Sequence, residues 1–426
     1  MPDHPSSGER IRAGVAFTFR SLKYRNYRLF FLGQCVSLVG MWMQNVAMGW
    51  LVFSLTGSEL LLGVVGFVEN LPVLLLTPFV GVFVDRWNRH HILVVTQSLM
   101  MVQAFVLALL VLTGNTTVPL IMALAVVLGT ITAVDITARQ AFWIQIVDNK
   151  DDLSNAISLN STVFNAARLV GPSLGGVIIA AIGEGLCFLL NAFSYIAVLV
   201  ALLSMKFAAG VRKATARRGG YLANLKEGFS YAWGSLSIRL TLFTLACSSL
   251  VAIQYMVMLP VFAADVLNGN AMYLGYLLGS AGGGALVGAI YMARLRNALG
   301  LTGILRTGII LAGLGFIGFS FSRVLLLSIL GILVLSFGIM LVISSCNVLV
   351  QTVVDDDKRG RVMGLHALCF SGMAPFGNLY MGAVAETWGA PATFLLSGVL
   401  MLVLAAVYST RANSIEAVIA VQVKAK

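Results

Sequence analysis

Two carboxyl groups occur within long apolar segments of this sequence, where charged side chains are costly to bury. One is Glu69, and the other is Asp135, which is followed four residues later by Arg139. Side chains four residues apart lie on one face of a helix, so Asp135 and Arg139 can form an ion pair. Burial favours the neutral form of a carboxyl group, so either acid could take up and release a proton near neutral pH. A permanent hydrogen bond at Glu69 and a structural ion pair at Asp135 are the alternatives.

A run of glycines around one proline lies in the next apolar segment. It reads Gly171-Pro172 and then Gly175-Gly176, and Arg168 precedes it. Small residues let neighbouring helices approach closely, and an internal proline bends a helix. Arg168 is the only basic residue deep within an apolar segment, where it could hold an anionic ligand or pair with one of the two acids. We expect a functional role for it, because a buried arginine without one would be expensive.

Neutral polar side chains within the apolar segments form a third set. They could line a cavity or hydrogen-bond neighbouring helices, and both interpretations stay open. The members of this set are Gln44, Asn45, Asn165, Gln254, Tyr255, His366 and Asn378. The tryptophans, Trp42 among them, are interpreted as members of interfacial belts rather than as ligand contacts.

The composition excludes a water-soluble protein. Of the 426 residues, 59% are hydrophobic and 11% are charged, and the mean hydropathy is +0.92. Soluble domains have about 25% charged residues, so too little polar surface is available here. The net charge of +11 does not indicate a nucleic-acid partner, because the basic residues cluster in short loops between apolar segments. The five cysteines follow no ligand spacing, so no metal site is expected.

Twelve apolar segments are long enough to cross a bilayer as helices, which takes about 20 residues each. They are 27–53, 60–84, 92–112, 118–138, 155–182, 186–205, 240–262, 272–293, 301–321, 324–354, 362–385 and 392–408. With both termini cytoplasmic, all but two of the 28 Lys and Arg residues fall on the inner side, the exceptions being Arg168 and Arg323. This asymmetry predicts a multi-pass, all-α protein of a cell membrane with that orientation.

One long polar connection divides the chain into two similar parts. Residues 1–205 form a first six-helix bundle, 206–236 a cytoplasmic linker with a short amphipathic helix, and 237–426 a second bundle. Glycines recur between the parts: Gly57 and Gly63 match Gly269 and Gly275 at a separation of 212, and Gly171 and Gly176 match Gly377 and Gly382 at 206. Parallel internal repeats of this kind are typical of transporters.

The loop after the second segment carries a further motif, with Gly81, Asp85, Arg86 and Arg89. The glycine permits close helix approach, the acid can pair or cap, and the arginines can bridge to the neighbouring bundle. An ordinary positively charged anchor is the alternative for the arginines. The motif resembles the G-x-x-x-D-R-x-G-R-[RK] signature of the major facilitator superfamily, whose members have twelve helices in two six-helix bundles.

Further stretches support this resemblance. The glycine run from Gly171 to Gly176, in the fifth apolar segment, resembles the antiporter motif of the superfamily. The stretches 20–30, 40–44, 135–140 and 155–161 resemble the branch that contains the enterobactin exporter and the transmembrane secretion effectors. This resemblance implies export powered by an ion gradient. In such a mechanism Asp135 and Arg139 could exchange partners with Asp85 and Arg86 as a gate.

These observations lead to one functional hypothesis and its alternatives. We expect a monomeric secondary transporter that exports a small amphipathic or hydrophobic solute, such as a siderophore, drug or metabolite. Alternating access would be driven by the proton gradient without a cofactor. A lysophospholipid or lipid translocator and an uncoupled facilitator are the alternatives. An enzyme is not expected, because the four histidines form no catalytic set with carboxylates.

Overall fold

The computed structural model describes residues 19–147, 149–207, 221–295, 300–355 and 357–425. Within these ranges the secondary structure is entirely helical, which confirms the predicted all-α membrane fold. After a 3-10 turn at Arg20–Lys23, the first part contains α1 Arg25–Thr56, α2 Glu59–Arg86, α3 Arg89–Leu112, α4 Val118–Ile146, α5 Lys150–Ile182 and α6 Glu184–Leu203. These six helices contain the first six predicted spans almost entirely. Most run a few residues further, because helical hydrogen bonds continue beyond the apolar stretch.

The second part begins with a short helix in the predicted linker. Its helices are α7 Tyr221–Gly234, α8 Leu236–Val251, α9 Ala271–Ala293, α10 Leu301–Phe321, α11 Leu325–Val353, α12 Arg359–Phe370 and α13 Ala374–Ala425. Between α8 and α9 the chain forms a 3-10 turn at Ile253–Met258, a short helical turn at Leu259–Val261 and a π-helical turn at Phe262–Val266.

In the second part the helices differ from the predicted spans at three places: two spans are interrupted, and two consecutive spans are joined. The predicted span 240–262 is broken at Ala252, where the α-helix gives way to the 3-10 turn. The predicted span 362–385 is interrupted between α12 and α13. Spans eleven and twelve, by contrast, join through α13 without a loop, and Gly389 with φ 79° and ψ 159° makes the break between them. Only glycine adopts that conformation readily. Division at Gly389 gives twelve crossings.

Helix packing is mostly internal to each part. In the first part α1 packs against α5 and α6, α2 against α4, and α3 against α4 and α6. In the second part α9 and α10 pack against α11, and α13 packs against α8 and α10. The two parts meet mainly where α2 contacts α13 and where α5 contacts α9.

Glycines make both contacts between the parts very close. A Cβ atom placed on Gly63 would lie 2.8 Å from the Cα atom of Gly382, and one placed on Gly176 would lie 2.7 Å from the Cα atom of Gly275. These four glycines lie near the membrane face that carries the turn between α1 and α2. We call the other end the basic face; it carries the loops at 86–89 and 204–206.

The parts separate toward the basic face. A Cβ atom placed on Gly81, Gly360 or Gly364 would have nothing within 4 Å. The predicted role of Gly81 in close helix approach is therefore wrong for this conformation. The helix α12 packs against α7, α8 and α11, all within its own part. The structure is thus closed at one end, through glycine contacts, and parted at the other.

Candidate functional site: a cavity between the two halves

A cavity of about 220 Å³ lies where the two six-helix parts face each other. Its wall is formed by α1, α2 and α5 of the first part and by the 253–261 turns, α9 and α13 of the second. The polar groups on the wall are Asn45, Glu69, Asn70 and Asn378. Apolar side chains from both parts make up most of the remainder. An apolar pocket with a few polar groups is the usual form of a small-molecule site.

Glu69 supplies the one carboxyl group on this wall. Its carboxylate has no hydrogen bond or ion pair among the residues that the structure describes. The backbone around it is fixed: a Cβ atom placed on Gly129 of α4 would lie 2.0 Å from the Glu69 carbonyl oxygen, so only glycine fits there. The alternative of a permanent hydrogen bond at Glu69 is therefore not observed. A positioned carboxyl group without a partner is available to a proton or a ligand.

Arg168 lies against the cavity wall rather than in an ion pair. Its guanidinium carbon is 5.7 Å from the centroid of the Trp42 ring, and its Nη2 atom is 3.8 Å from the sulfur of Met256. The Nε atom is buried without a hydrogen-bond partner. The predicted pairing of Arg168 with an acid is absent from this conformation, among the described ion pairs.

Trp42 is a cavity residue that the sequence interpretation missed. It lies in the middle of α1, lines the cavity, and contacts the Phe164 ring edge-on at 5.7 Å between centroids. The expectation that it belongs to an interfacial belt is wrong. Its position next to Gln44 and Asn45, far from the span ends, was the available signal.

Asp135 and Arg139 form a satisfied network inside the first part. The Nη2 atom of Arg139 lies 2.5 Å from Asp135 Oδ2, and Nη1 hydrogen-bonds Gln34. Asp135 Oδ1 accepts hydrogen bonds of 2.8 Å from Thr96 Oγ1 and from Gln97 Nε2. Asp135 is only 2% exposed. This geometry favours the structural ion pair over a proton carrier in this conformation.

The loop after α2 also makes its polar contacts within the first part. Arg89 lies 3.2 Å from Asp85 Oδ1 and donates a 3.2 Å hydrogen bond to the carbonyl of Ala141 on α4. Asn88 caps α3 by accepting a hydrogen bond from a backbone N–H. Arg86 is exposed. The expected bridge from these arginines to the other part is not seen among the described residues. Their exchange of partners with Asp135 and Arg139 stays a prediction.

The glycine run of α5 packs on two sides. A Cβ atom on Gly171 would lie 2.6 Å from Cβ of Trp42, and one on Gly175 would lie 3.2 Å from the Cα atom of Met43 in α1. Gly176 contacts α9 of the other part, while Pro172 lines the cavity. The run therefore holds α5 against α1 and sets the contact between the parts.

The remaining predicted cavity residues divide into two groups. Asn45 and Asn378 line the cavity. Gln44 instead points into the first part, where it accepts a 2.6 Å hydrogen bond from Asn191 and lies 3.5 Å from Gln103. Its assignment to the cavity is wrong, because the adjacent position on α1 faces the opening.

Four further candidates do not line the cavity. Asn165 donates to the Ser161 carbonyl at 2.8 Å, one helical turn away. Gln254 packs where Gly377 leaves room for it. Tyr255 and His366 are buried, and the Tyr255 hydroxyl and His366 Nε2 have no hydrogen-bond partner in the described part of the chain.

The two halves, their twelve crossings and the central cavity define a multi-pass membrane transporter of the major facilitator type. The chain belongs to the transmembrane secretion effector family, whose model, described as "Transmembrane secretion effector", matches residues 16–423. It is therefore a transporter and not an enzyme, and it carries small-molecule substrates within a membrane.

Named relatives are similar along most of the chain. A staphyloferrin A transporter of Staphylococcus aureus is 24% identical over 89% of this chain and 95% of its own length. The multidrug efflux pump Tap of Mycolicibacterium fortuitum is 26% identical over 85% and 90%. Among solved structures, an inward-facing bacterial homolog of the human lysosomal transporter Spinster has a TM-score of 0.71 at 13% identity, covering 92% of this chain and 97% of that one. The nucleoside transporter NupG has a TM-score of 0.69 at 15% identity, covering 91% and 98%.

Proposed function

We propose that this protein exports a small amphipathic or hydrophobic solute in exchange for protons. The observation that carries the proposal is the unpaired Glu69 carboxylate on the wall of a largely apolar cavity between the two halves. A carboxyl group in such a place can exchange its proton with solvent from whichever side the cavity opens to. The names of the relatives, a siderophore transporter and a multidrug efflux pump, support an amphipathic substrate and export.

We propose further that the protein lies in a bacterial inner membrane with both termini in the cytoplasm. The distribution of Lys and Arg and the bacterial relatives support this orientation. The basic face is then cytoplasmic, and the parted halves admit solute from the cytoplasm. The machinery needs only the proton gradient, without a cofactor, and one chain holds the whole cavity, so a monomer suffices.

The transport cycle follows from the two contacts between the halves. Solute enters from the basic face while Gly63 and Gly382, and Gly176 and Gly275, keep the other end closed. The halves then rock so that those contacts part and the basic face closes. A proton from outside binds Glu69 and weakens solute binding, and the solute leaves. Return of the halves releases the proton to the cytoplasm.

A proton-flux assay with reconstituted protein tests this proposal. Liposomes holding a pH-sensitive dye receive a pH gradient and then a panel of siderophores, drugs and lysolipids. We expect solute-dependent proton flux with the wild type and none with Glu69→Gln. Glu184→Gln is the matched control, since that acid lies in the first turn of α6, outside the cavity.

Other outcomes would change the proposal in defined ways. Flux that survives in Glu69→Gln would move the coupling site to Asp135. Solute movement without proton flux, for lysolipids or any other solute, would contradict exchange and favour a lipid translocator or a facilitator.

A further inference from the structure

Two charged side chains deep in the spans lack a protein partner of opposite charge. Among the residues that the structure describes, the deep charges are Glu69, Arg168, Asp135 and Arg139. The last two neutralise each other at 2.5 Å. Glu69 lines the cavity, and Arg168 contacts two side chains that line it. One negative group on the cavity wall, and one positive group against the Trp42 and Met256 side chains of that wall, are thus left without a counter-charge.

The surroundings of Arg168 leave its charge unsatisfied. Guanidinium groups donate five hydrogen bonds and accept none. The Met256 sulfur is a weak acceptor, the Trp42 ring offers only its π face, and the neighbouring Tyr255 hydroxyl is a neutral group that supplies no counter-charge. The buried Nε atom donates to nothing in the described structure. A buried donor without a hydrogen bond costs free energy at this depth in the membrane. An anionic ligand group that accepts a hydrogen bond from it therefore gains binding free energy.

The two charges together restrict the ligand more than either does alone. A solute with only an acidic group would satisfy Arg168 and be repelled by ionised Glu69, and a solute with only a basic group would do the reverse. A neutral solute would leave both groups unmet. A solute with separated opposite charges satisfies both and adds no net charge to a site of low polarity.

We propose that the cavity recognises zwitterionic amphipathic solutes, with an oxyanion such as a carboxylate at Arg168 and an ammonium or similar cation at Glu69. The Trp42 ring and the Met48 and Met256 side chains contact the apolar body of the solute, since methionine adapts to varied shapes. This inference rests on the proposed function, because the solute cation and the proton then compete for one carboxylate.

A matched series of four compounds tests the charge requirement without any mutation. The zwitterion is N-α-octanoyl-lysine, and its methyl ester is cationic. N-octanoyl-norleucine is anionic, and its methyl ester is neutral. Binding to the purified full chain in lipid nanodiscs is measured by equilibrium dialysis, with no gradient present. We expect the zwitterion to bind at least about tenfold more tightly than each of the other three, as one charge-assisted hydrogen bond allows.

Two variants assign each charge to its residue. Arg168→Met should bind the zwitterion no better than its methyl ester, and Glu69→Gln should bind it no better than the norleucine compound. Arg306→Met is the matched control, because that exposed arginine on α10 lies away from the cavity, and it should keep the wild-type preference. If Arg168→Met does not fold, Arg168→Lys should retain a preference for the zwitterion over its ester.

The outcomes separate this inference from the proposed function. Equal binding of the zwitterion and either singly charged compound by the wild type would overturn the inference. Proton-coupled transport of another amphipathic solute would leave the proposed function intact in that case. A clear preference for the zwitterion, lost in the two variants but without any proton flux, would support the inference and contradict proton exchange.

Discussion

Gly63 of α2 lies directly against Gly382 of α13, and Gly176 of α5 lies in the same way against Gly275 of α9. The two contacts are related by the internal repeat, since Gly63 corresponds to Gly275 and Gly176 to Gly382. Their neighbours follow the same relation: the Asn378 carbonyl faces Gly63, and the Pro172 carbonyl faces Gly275. The repeated glycines therefore form two equivalent closures between the halves.

A side chain at either closure should hold that end of the protein open. We expect Gly382→Val to shift the protein away from the conformation closed at these glycines, because its Cβ atom would lie 2.8 Å from the Gly63 Cα atom. Spin-label distances between the two halves at this end should lengthen. Gly318→Val is the control, since nothing lies within 4 Å of its Cβ position. Unchanged distances in Gly382→Val would contradict the closure.

Removal of the Asp135 carboxylate should destabilise the first half. Asp135→Asn leaves the charge of Arg139 in a largely buried place with weaker partners, which costs about 3 to 5 kcal/mol when one member of a buried pair is removed. We expect a clearly lower midpoint of thermal unfolding in nanodiscs. Glu69→Gln should unfold close to the wild-type temperature, because Glu69 makes no ion pair in the described structure. Similar midpoints for both variants would contradict the structural role of Asp135.

Glu386 should help to hold the halves together at the glycine end. Its Oε2 atom on α13 accepts a 2.9 Å hydrogen bond from the Leu60 amide and a 3.0 Å bond from the Ser58 hydroxyl, both at the start of α2. Loss of such a helix cap costs about 1 kcal/mol. We expect Glu386→Ala to increase the labelling of a cysteine that replaces the cavity residue Asn45 by a reagent added from that side. Labelling equal to that of the parent variant would show that the bond does not affect closure.

The attachment of α7 should depend on pH. Glu227 on this helix lies 2.8 Å from Lys358 Nζ and 2.9 Å from Arg361 Nη1, beside the start of α12. The hydrogen bond from Lys358 lowers the pKa of Glu227 below its ordinary value of 4.5, and the same bond raises the pKa of Lys358 above 10.5. Because its pKa is lowered, Glu227 contributes its full stabilisation above pH 4.5 and loses it as the pH falls through the lowered pKa. Because its pKa is raised, Lys358 contributes its full stabilisation below pH 10.5 and loses it as the pH rises through the raised pKa.

We therefore expect the contact between Glu227 and α12 to have its full strength between about pH 4.5 and pH 10.5 and to weaken as the pH falls through the lowered pKa of Glu227. In alkali Arg361 stays charged and still pairs with Glu227, so little change is expected there. The fluorescence of a probe attached near Trp233 should change as the pH falls below 4.5. The variant Glu227→Gln removes the carboxylate and should flatten the acid transition. An acid transition of unchanged size in Glu227→Gln would assign the release to other groups.

Much of the architecture could be predicted from local properties of the sequence. The twelve crossings follow from apolar length, which one stretch of chain carries by itself. The sequence repeat indicated four glycines as structurally important, namely Gly63, Gly176, Gly275 and Gly382. It did not indicate that Gly63 would contact Gly382 or that Gly176 would contact Gly275. Glu69 could be proposed as a functional acid because a carboxyl group at that depth is rare, whatever its neighbours are.

Only the tertiary structure decided whether each polar side chain points into the cavity or into its own half. Gln44 and Asn45 are neighbours of the same chemical type, yet one is hydrogen-bonded inside the first half and the other lines the cavity. Consecutive residues on a helix point about 100° apart, so a modest rotation of α1 would exchange their roles. Packing against α5 and α6 fixes that rotation, and it also brings Trp42 beneath Arg168. Such packing depends on side chains far apart in sequence, which is why no local pattern could reveal it.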